Sequence, residues 1–178
     1  MGLVYEEKAE FGKAQKFYKR IGIQNKFYVD AYIRLANLEL KRGNYPKALY
    51  ICDEEINILR KAPENVKSNY EQIVCFKGSI LMELGEFEKA KRIFDSLKHN
   101  IYARLSNLSC TYEISTQFRD EQLKQSKFHP PHLIPLENYL KQILHESQEI
   151  TKQYLNNFMI ANMVGVGLAE RGYTRPAK

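Results

Sequence analysis

Between Val29 and Leu59 the apolar residues fall into two helical stripes. Tyr32, Leu35, Ala36 and Leu40 line the first, and Ala48, Ile51, Cys52 and Ile56 line the second. Apolar residues at i, i+3, i+4 and i+7 mark one buried face of a helix. The two stripes meet at Arg42-Gly43-Asn44, and a glycine-containing turn between two such helices predicts a helical hairpin. The pattern recurs. Gly43, Tyr45 and Ala48 are matched by Gly85, Phe87 and Ala90, with Phe94 four residues on, and Phe11, Ala14 and Tyr18 repeat the second half.

The spacing from Phe11, Ala14, Tyr18 to Tyr45, Ala48, Cys52 is 34 residues. That period, with small residues at helix crossings and aromatics between them, is the signature of the tetratricopeptide (TPR) repeat. The predicted fold is therefore all-α, a TPR-like α-solenoid of antiparallel helix hairpins. Residues 1–178 read as a single array, with repeats at about 1–28, 29–69, 70–101 and 102–150, and a partial one at 156–178.

Residues 1–7 look like the tail of a first helix, with Gly2 and Tyr5 at crossing positions. Residues 10–21 form the next, with Phe11, Ala14, Phe17, Tyr18 and Ile21 inward. The second helix of repeat two is expected to run about two turns longer than usual, up to Ala62-Pro63. In repeat three, Ile73, Val74, Gly78 and Leu81 line the first helix, and Gly78 lets a partner helix approach closely. In repeat four, Leu105, Leu108, Ser109 and Tyr112 form a first helix, after which an insertion near 118–135 replaces the turn; its first part is read as lengthening the helix until Pro130-Pro131 ends it. The chain then stops inside a fifth repeat, so the reading expects an array truncated at both ends. Phe158, Met159, Ile160, Met163, Val164, Val166 and Leu168 leave the last helix apolar on several sides, which predicts self-association through that end.

The net charge of +6 is uneven: residues 1–48 carry ten Lys/Arg against five Asp/Glu. Lys13, Lys16, Lys19, Arg20 and Lys26 are read as the solvated face of helices, and the nearby aromatics belong to the buried stripe, so direct nucleic-acid binding is not expected. No apolar run is long enough to span a membrane. The cysteines, Cys52, Cys75 and Cys110, are far apart and lack metal-ligand spacing, which suits buried thiols in an intracellular protein.

No catalytic motif is present, and no enzyme activity, cofactor or metal is expected. His129 and His132 lack further ligands. Asp53, Glu54 and Glu55 fan out around a helix and read as a solvated face. The expected function is binding through a concave groove lined by the first helices of successive repeats. The partner-binding candidates are Asp30, Ile33, Asn37, Leu40 and Lys41, then Gln72, Cys75 and Ser79, then Ser106 and Cys110, and lastly Asn162 with Val166. Of the basic clamp by which chaperone-binding TPR domains hold a peptide carboxylate, only Asn37 is matched; Ile33 and Phe76 stand at other clamp positions.

The stretch FYVDAYIRLANLELKRGNYPKAL (27–49) resembles the large TPR scaffold subunit of the polymerase-associated factor (PAF) complex, in its Tyr-Val-Asp-x-Tyr-x-Arg-Leu opening and Gly-Asn turn. The upstream LVYEEKAEFGKAQKFYKRI resembles the preceding repeat. The charged insertion before LENYLKQIL, followed by NNFMIANMVGVGLAERGY, is similar to that family's interrupted repeat and the helix after it. Ala36 departs from a usual glycine. The resemblance implies a nuclear, non-enzymatic scaffold that holds other PAF subunits beside the RNA polymerase II machinery and supports transcription elongation and linked histone modification. The alternative is a substrate- or partner-selecting TPR segment of another protein, of glycosyltransferase or co-chaperone type.

Overall fold

The computed structural model describes residues 1–125, together with positions 141, 145, 148–150 and 152. The chain divides into two compact units, Met1–Asn107 and Leu108–Lys178. The described residues are helical, with α1 Gly2–Glu7, α2 Phe11–Gln24, α3 Val29–Lys41, α4 Tyr45–Leu59, a 3-10 turn at Glu64–Val66, α5 Lys67–Glu83, α6 Phe87–Asp95 and α7 Ile101–Gln125.

Within the first unit each helix from α1 to α6 packs on its neighbours in sequence, and α3 also packs on α5. Three turns join these helices into hairpins with one geometry. The N–H groups of Ala9 and Glu10 donate to the carbonyls of Glu6 and Tyr5 at 2.9 and 2.8 Å. Gly43 and Asn44 repeat this on Leu40 and Glu39, and Gly85 and Glu86 on Met82 and Leu81. This pairing caps the carbonyls left open at a helix end and needs a left-handed residue after the cap. Gly43 and Gly85 supply it at φ 72° and 73°, whereas the first hairpin uses Ala9 at φ 56°.

The helix crossings repeat as well. A Cβ on Gly2 would lie 2.5 Å from the Tyr18 ring, and one on Gly78 would lie 2.5 Å from the Phe94 ring. The corresponding pair in the second hairpin is Ala36 and Cys52, both fully buried. A smaller side chain at Cys52 makes room for the methyl of Ala36, so the departure from glycine is matched across the crossing. Ala14, Ala48 and Ala90, at the next shared position, are completely buried too.

The second repeat is longer than the first, but not in its second helix as expected. α4 has 15 residues against 14 for α2, and Arg60 caps it. The extra residues form the connection through Pro63 and the 3-10 turn, and they lengthen the start of α5, which has 17 residues against 13 for α3. Proline at 63 supplies an extended residue that separates the two helical stretches.

α3 is buried more widely than one stripe predicts. Val29, Ala31, Leu35, Ala36, Leu38 and Glu39 are all inside, whereas Leu40 is half-buried. Contact with α2, α4 and α5 explains the difference, since a helix packed on three others has little free surface. α7 continues through the start of the insertion to Gln125, as the sequence suggested. In the first unit it contributes buried Ala103, and Asn107 accepts from Lys91 at 3.0 Å. In the second unit Leu108, Cys110, Thr111, Ile114 and Ile150 are buried. Pro130-Pro131 and the apolar helix expected at 156–170 lie outside the described residues.

Candidate interaction site

A groove of about 540 Å³ opens between α1 and α3 in the first unit. Met1, Gly2 and Leu3 form one wall, and Phe17, Tyr18 and Ile21 of α2 form the floor. The other wall is a single face of α3: Asp30, Ile33, Arg34 and Asn37 follow the i, i+3, i+4, i+7 rule. At 1.5 Å per residue this wall runs for about 10 Å, enough to lie along roughly three residues of an extended chain. Gln72 of α5 closes the far side, and its amide donates to Asp30 at 3.2 Å.

The α1 end of the groove is held by a charged link across three helices. Tyr18 Oη donates to Glu6 at 2.7 Å, and Lys41 Nζ meets the other Glu6 oxygen at 2.9 Å. Partial burial opposes ionisation of Glu6. The hydrogen bonds from Tyr18 and Lys41, with the charges of Lys41 and Arg34, outweigh it and hold the carboxyl below its usual range. Burial, followed by its bond to Glu6, pushes the Tyr18 phenol up to about 12. Tyr18 therefore stays a hydrogen-bond donor and a fixed piece of the floor. Arg34 is exposed and makes no hydrogen bond or ion pair with another described residue, so its guanidinium can meet a ligand.

Of the residues the sequence pointed to, Asp30, Ile33, Asn37 and Gln72 converge on this groove. Lys41 does not: it is exposed, but it turns to Glu6 and lies over the Phe11 ring. Leu40 is half-buried and is not among the groove's lining residues. Ser79 is exposed on α5, its hydroxyl donating to the carbonyl of Cys75 at 3.2 Å. Ser106 is half-buried on α7. Cys110, expected on the same surface, is fully buried. Asn162 and Val166 lie outside the described residues. Burial, reinforced by neighbouring acids, raises the thiols of Cys52 and Cys75 to about 12 and 11, so both are protonated at neutral pH.

Two acids are buried in the first unit. Glu39 is 1% exposed, at the position held by Tyr5 and Leu81 in the flanking hairpins. Its carboxylate accepts from Gln15 at 2.9 Å and Asn44 at 3.4 Å, and pairs with Lys47 at 2.9 Å and Arg42 at 3.4 Å. It ties α2, α3 and α4 together at the turn. Position 39 follows Tyr32 by seven residues, Leu35 by four and Ala36 by three, so the helical period itself places Glu39 on the buried stripe, and only its charge argues against that place.

Glu55 is the second, and it corrects the reading of Asp53, Glu54 and Glu55 as a solvated face. Glu54 is exposed and Asp53 half-buried, but Glu55 is completely buried, with neither carboxylate oxygen hydrogen-bonded. Glu55 follows Ala48 by seven residues, Ile51 by four and Cys52 by three, so the stripe that packs α4 on its neighbours carries it inward. Desolvation pushes the Glu55 carboxyl up to about 7.

Among the described residues no group of three His, Cys, Asp or Glu side chains could hold a metal ion, and no helix is long and apolar enough to cross a membrane. No protein-family model matches this chain, and no curated protein matches it.

Proposed function

We propose that this protein is a non-enzymatic interaction scaffold, a TPR-like array whose groove along α3 holds an extended segment of a partner. The observation that carries the proposal is the convergence of Asp30, Ile33, Asn37 and Gln72, from two hairpins, with unpaired Arg34 in one open groove. A linear wall of alternating charge, apolar side chain and amide suits a peptide, whose main chain needs hydrogen bonds at regular intervals and whose side chains need small apolar seats. The repeated caps at Ala9, Gly43 and Gly85, 34 and 42 residues apart, and the small-on-aromatic crossings of the first and third hairpins support the TPR-like assignment.

The resemblance of residues 27–49 extends the proposal to a nuclear scaffold like the large TPR subunit of the PAF complex. Its partners are then the other PAF subunits and the RNA polymerase II machinery, and its role is in transcription elongation and linked histone modification. The test is affinity capture from nuclear extract with the wild-type chain and with an Arg34→Glu, Asn37→Ala variant, read by mass spectrometry. PAF subunits should be enriched by the wild type and reduced several-fold by the variant, whose thermal stability should fall only slightly, since Arg34 is exposed and is one of several groups that favour the Glu6 carboxylate. Enrichment of chaperones or cytosolic enzymes in their place overturns the assignment.

A further inference from the structure

A second cleft lies in the other layer of the first unit. The walls of the first groove come from α1 and α3, whereas this one lies between α4 and α6, with α5 contributing Tyr70, Val74 and Lys77. It has a volume of about 230 Å³, and Ile56, Val74 and Ile93 supply its apolar part. Its charged lining residues are Arg60, Lys77, Arg92 and Asp53. Lys77 Nζ sits 2.6 Å from Asp53, so that acid is already neutralised. Arg60 and Arg92 are exposed and have no hydrogen-bond or ion-pair partner among the described residues.

Arg60, at the end of α4, and Arg92, on α6, thus bring two guanidiniums without a partner among the described residues to one cleft that also has an apolar part. Guanidinium forks pair well with carboxylates because both partners are planar and can form two parallel hydrogen bonds. The cleft has room for a side chain but not for an enclosed small molecule, since its volume falls below that of pockets that bury a ligand. The Tyr70 hydroxyl, unpaired among the described residues, adds a donor at the same place. We propose that this cleft docks an acidic peptide segment of a partner protein, with an apolar residue seated on Ile56, Val74 and Ile93 and flanking Asp or Glu side chains on Arg60 and Arg92. The cleft and the α3 groove use separate residues, so the proposal stands whatever occupies the groove.

The test uses the full chain and a fluorescein-labelled peptide of alternating Glu and Leu, followed by fluorescence anisotropy. The peptide should bind with an affinity that falls as salt rises. Arg60→Glu with Arg92→Glu should weaken it about tenfold or more, the loss expected when two charge-assisted contacts are removed from an exposed site. The same variant should stay folded, with a melting temperature lowered by no more than a few degrees, since both side chains are exposed but the acids fall at the C-terminal ends of α4 and α6. Arg34→Glu, which disrupts the groove, should leave binding unchanged. Unaltered affinity in the double variant overturns the proposal. So does equal binding of a Lys-and-Leu peptide, or a single-stranded RNA that binds more tightly through the same two arginines.

Discussion

Glu55 gives the sharpest test of how this array is built. Its carboxyl is fully buried and lacks any hydrogen bond. The nearest phenol cannot help, because Tyr32 Oη already donates to the carbonyl of Gly22 at 3.3 Å. Raising a carboxyl from 4.5 to about 7 corresponds to about 3 kcal/mol, at about 1.4 kcal/mol per unit of pH. The sign follows from proton binding. The folded chain holds the Glu55 proton more tightly than the unfolded chain, so stability falls as pH rises from 4.5 towards 7, and the full cost is present above 7. Glu55→Leu removes that cost. Leucine suits the position, since Ile21 and Leu97 stand there in the adjacent hairpins, and the swap adds little volume.

The assay is urea unfolding of wild type and variant by far-UV circular dichroism at pH 5 and pH 8. The variant should be about 3 kcal/mol more stable than wild type at pH 8, and the advantage should shrink towards pH 5. Comparing the two proteins cancels every other titrating group. Glu55→Gln should flatten the same pH dependence but gain less stability, because a buried amide still lacks partners. Identical pH dependence in wild type and Glu55→Leu would refute the reasoning, since Glu55 would then be ionising in the folded chain as it does in the unfolded one.

Three further outcomes test the repeat. Ala9→Gly should raise the unfolding free energy by about 0.5–1 kcal/mol, because the left-handed conformation costs alanine more than glycine's extra chain entropy; Gly43→Ala, where a Cβ meets nothing within 4 Å, should lose a similar amount, both read by urea unfolding. Gly78→Ala should cost about 1–2 kcal/mol by driving a methyl into the Phe94 ring, and Gly78→Ala with Phe94→Leu should cost less than the two changes summed, as a double-mutant cycle would show. Glu6 contributes the opposite slope to Glu55. Its folded carboxyl is held below the usual range, so its stabilisation is present above the unfolded value and is lost as pH falls through the folded one. Glu6→Gln should therefore flatten the acid limb of a melting-temperature profile.

The helices were legible because burial in this unit follows the helical period wherever a helix packs on one side. α2 shows this: Ala14 and Tyr18 are buried, while Lys13, Lys16, Lys19 and Arg20 are exposed. Glycine turns were legible for a local reason, since only glycine takes φ near 70° without strain. Ala9 was not, because nothing in its own chemistry asks for a left-handed turn; it is imposed by Glu6 and Tyr5 accepting from the turn. The groove was half legible. Asp30, Ile33 and Asn37 follow from α3 having one face towards α1, but Lys41, one turn further along, is diverted by Glu6 from another helix. Arg34 belongs to the same face and could have been found by continuing the i, i+4 stripe from Asp30.

Where the repeat chemistry is broken, the cost is carried in one of two ways. Glu39 replaces an apolar residue and is met by four donors, two of them partly exposed cations that lose little solvation in reaching it. Glu55 replaces an apolar residue and is met by none. The first arrangement fixes the α3–α4 turn, and with it the orientation of the α3 wall, so Glu39 has a positional use that can offset its burial. Glu55 has no such partner set, and its burial is a net loss to the first unit above neutral pH. The two acids stand on the two helices of one hairpin, each at an inward position, yet only their neighbours decide which one stabilises the first unit. On the proposed function, stability and recognition fall to separate residues. The repeated core positions, from Ala14 to Phe94, set the fold, while Arg34, Arg60 and Arg92, the residues proposed to meet partners, are exposed and lie outside that set.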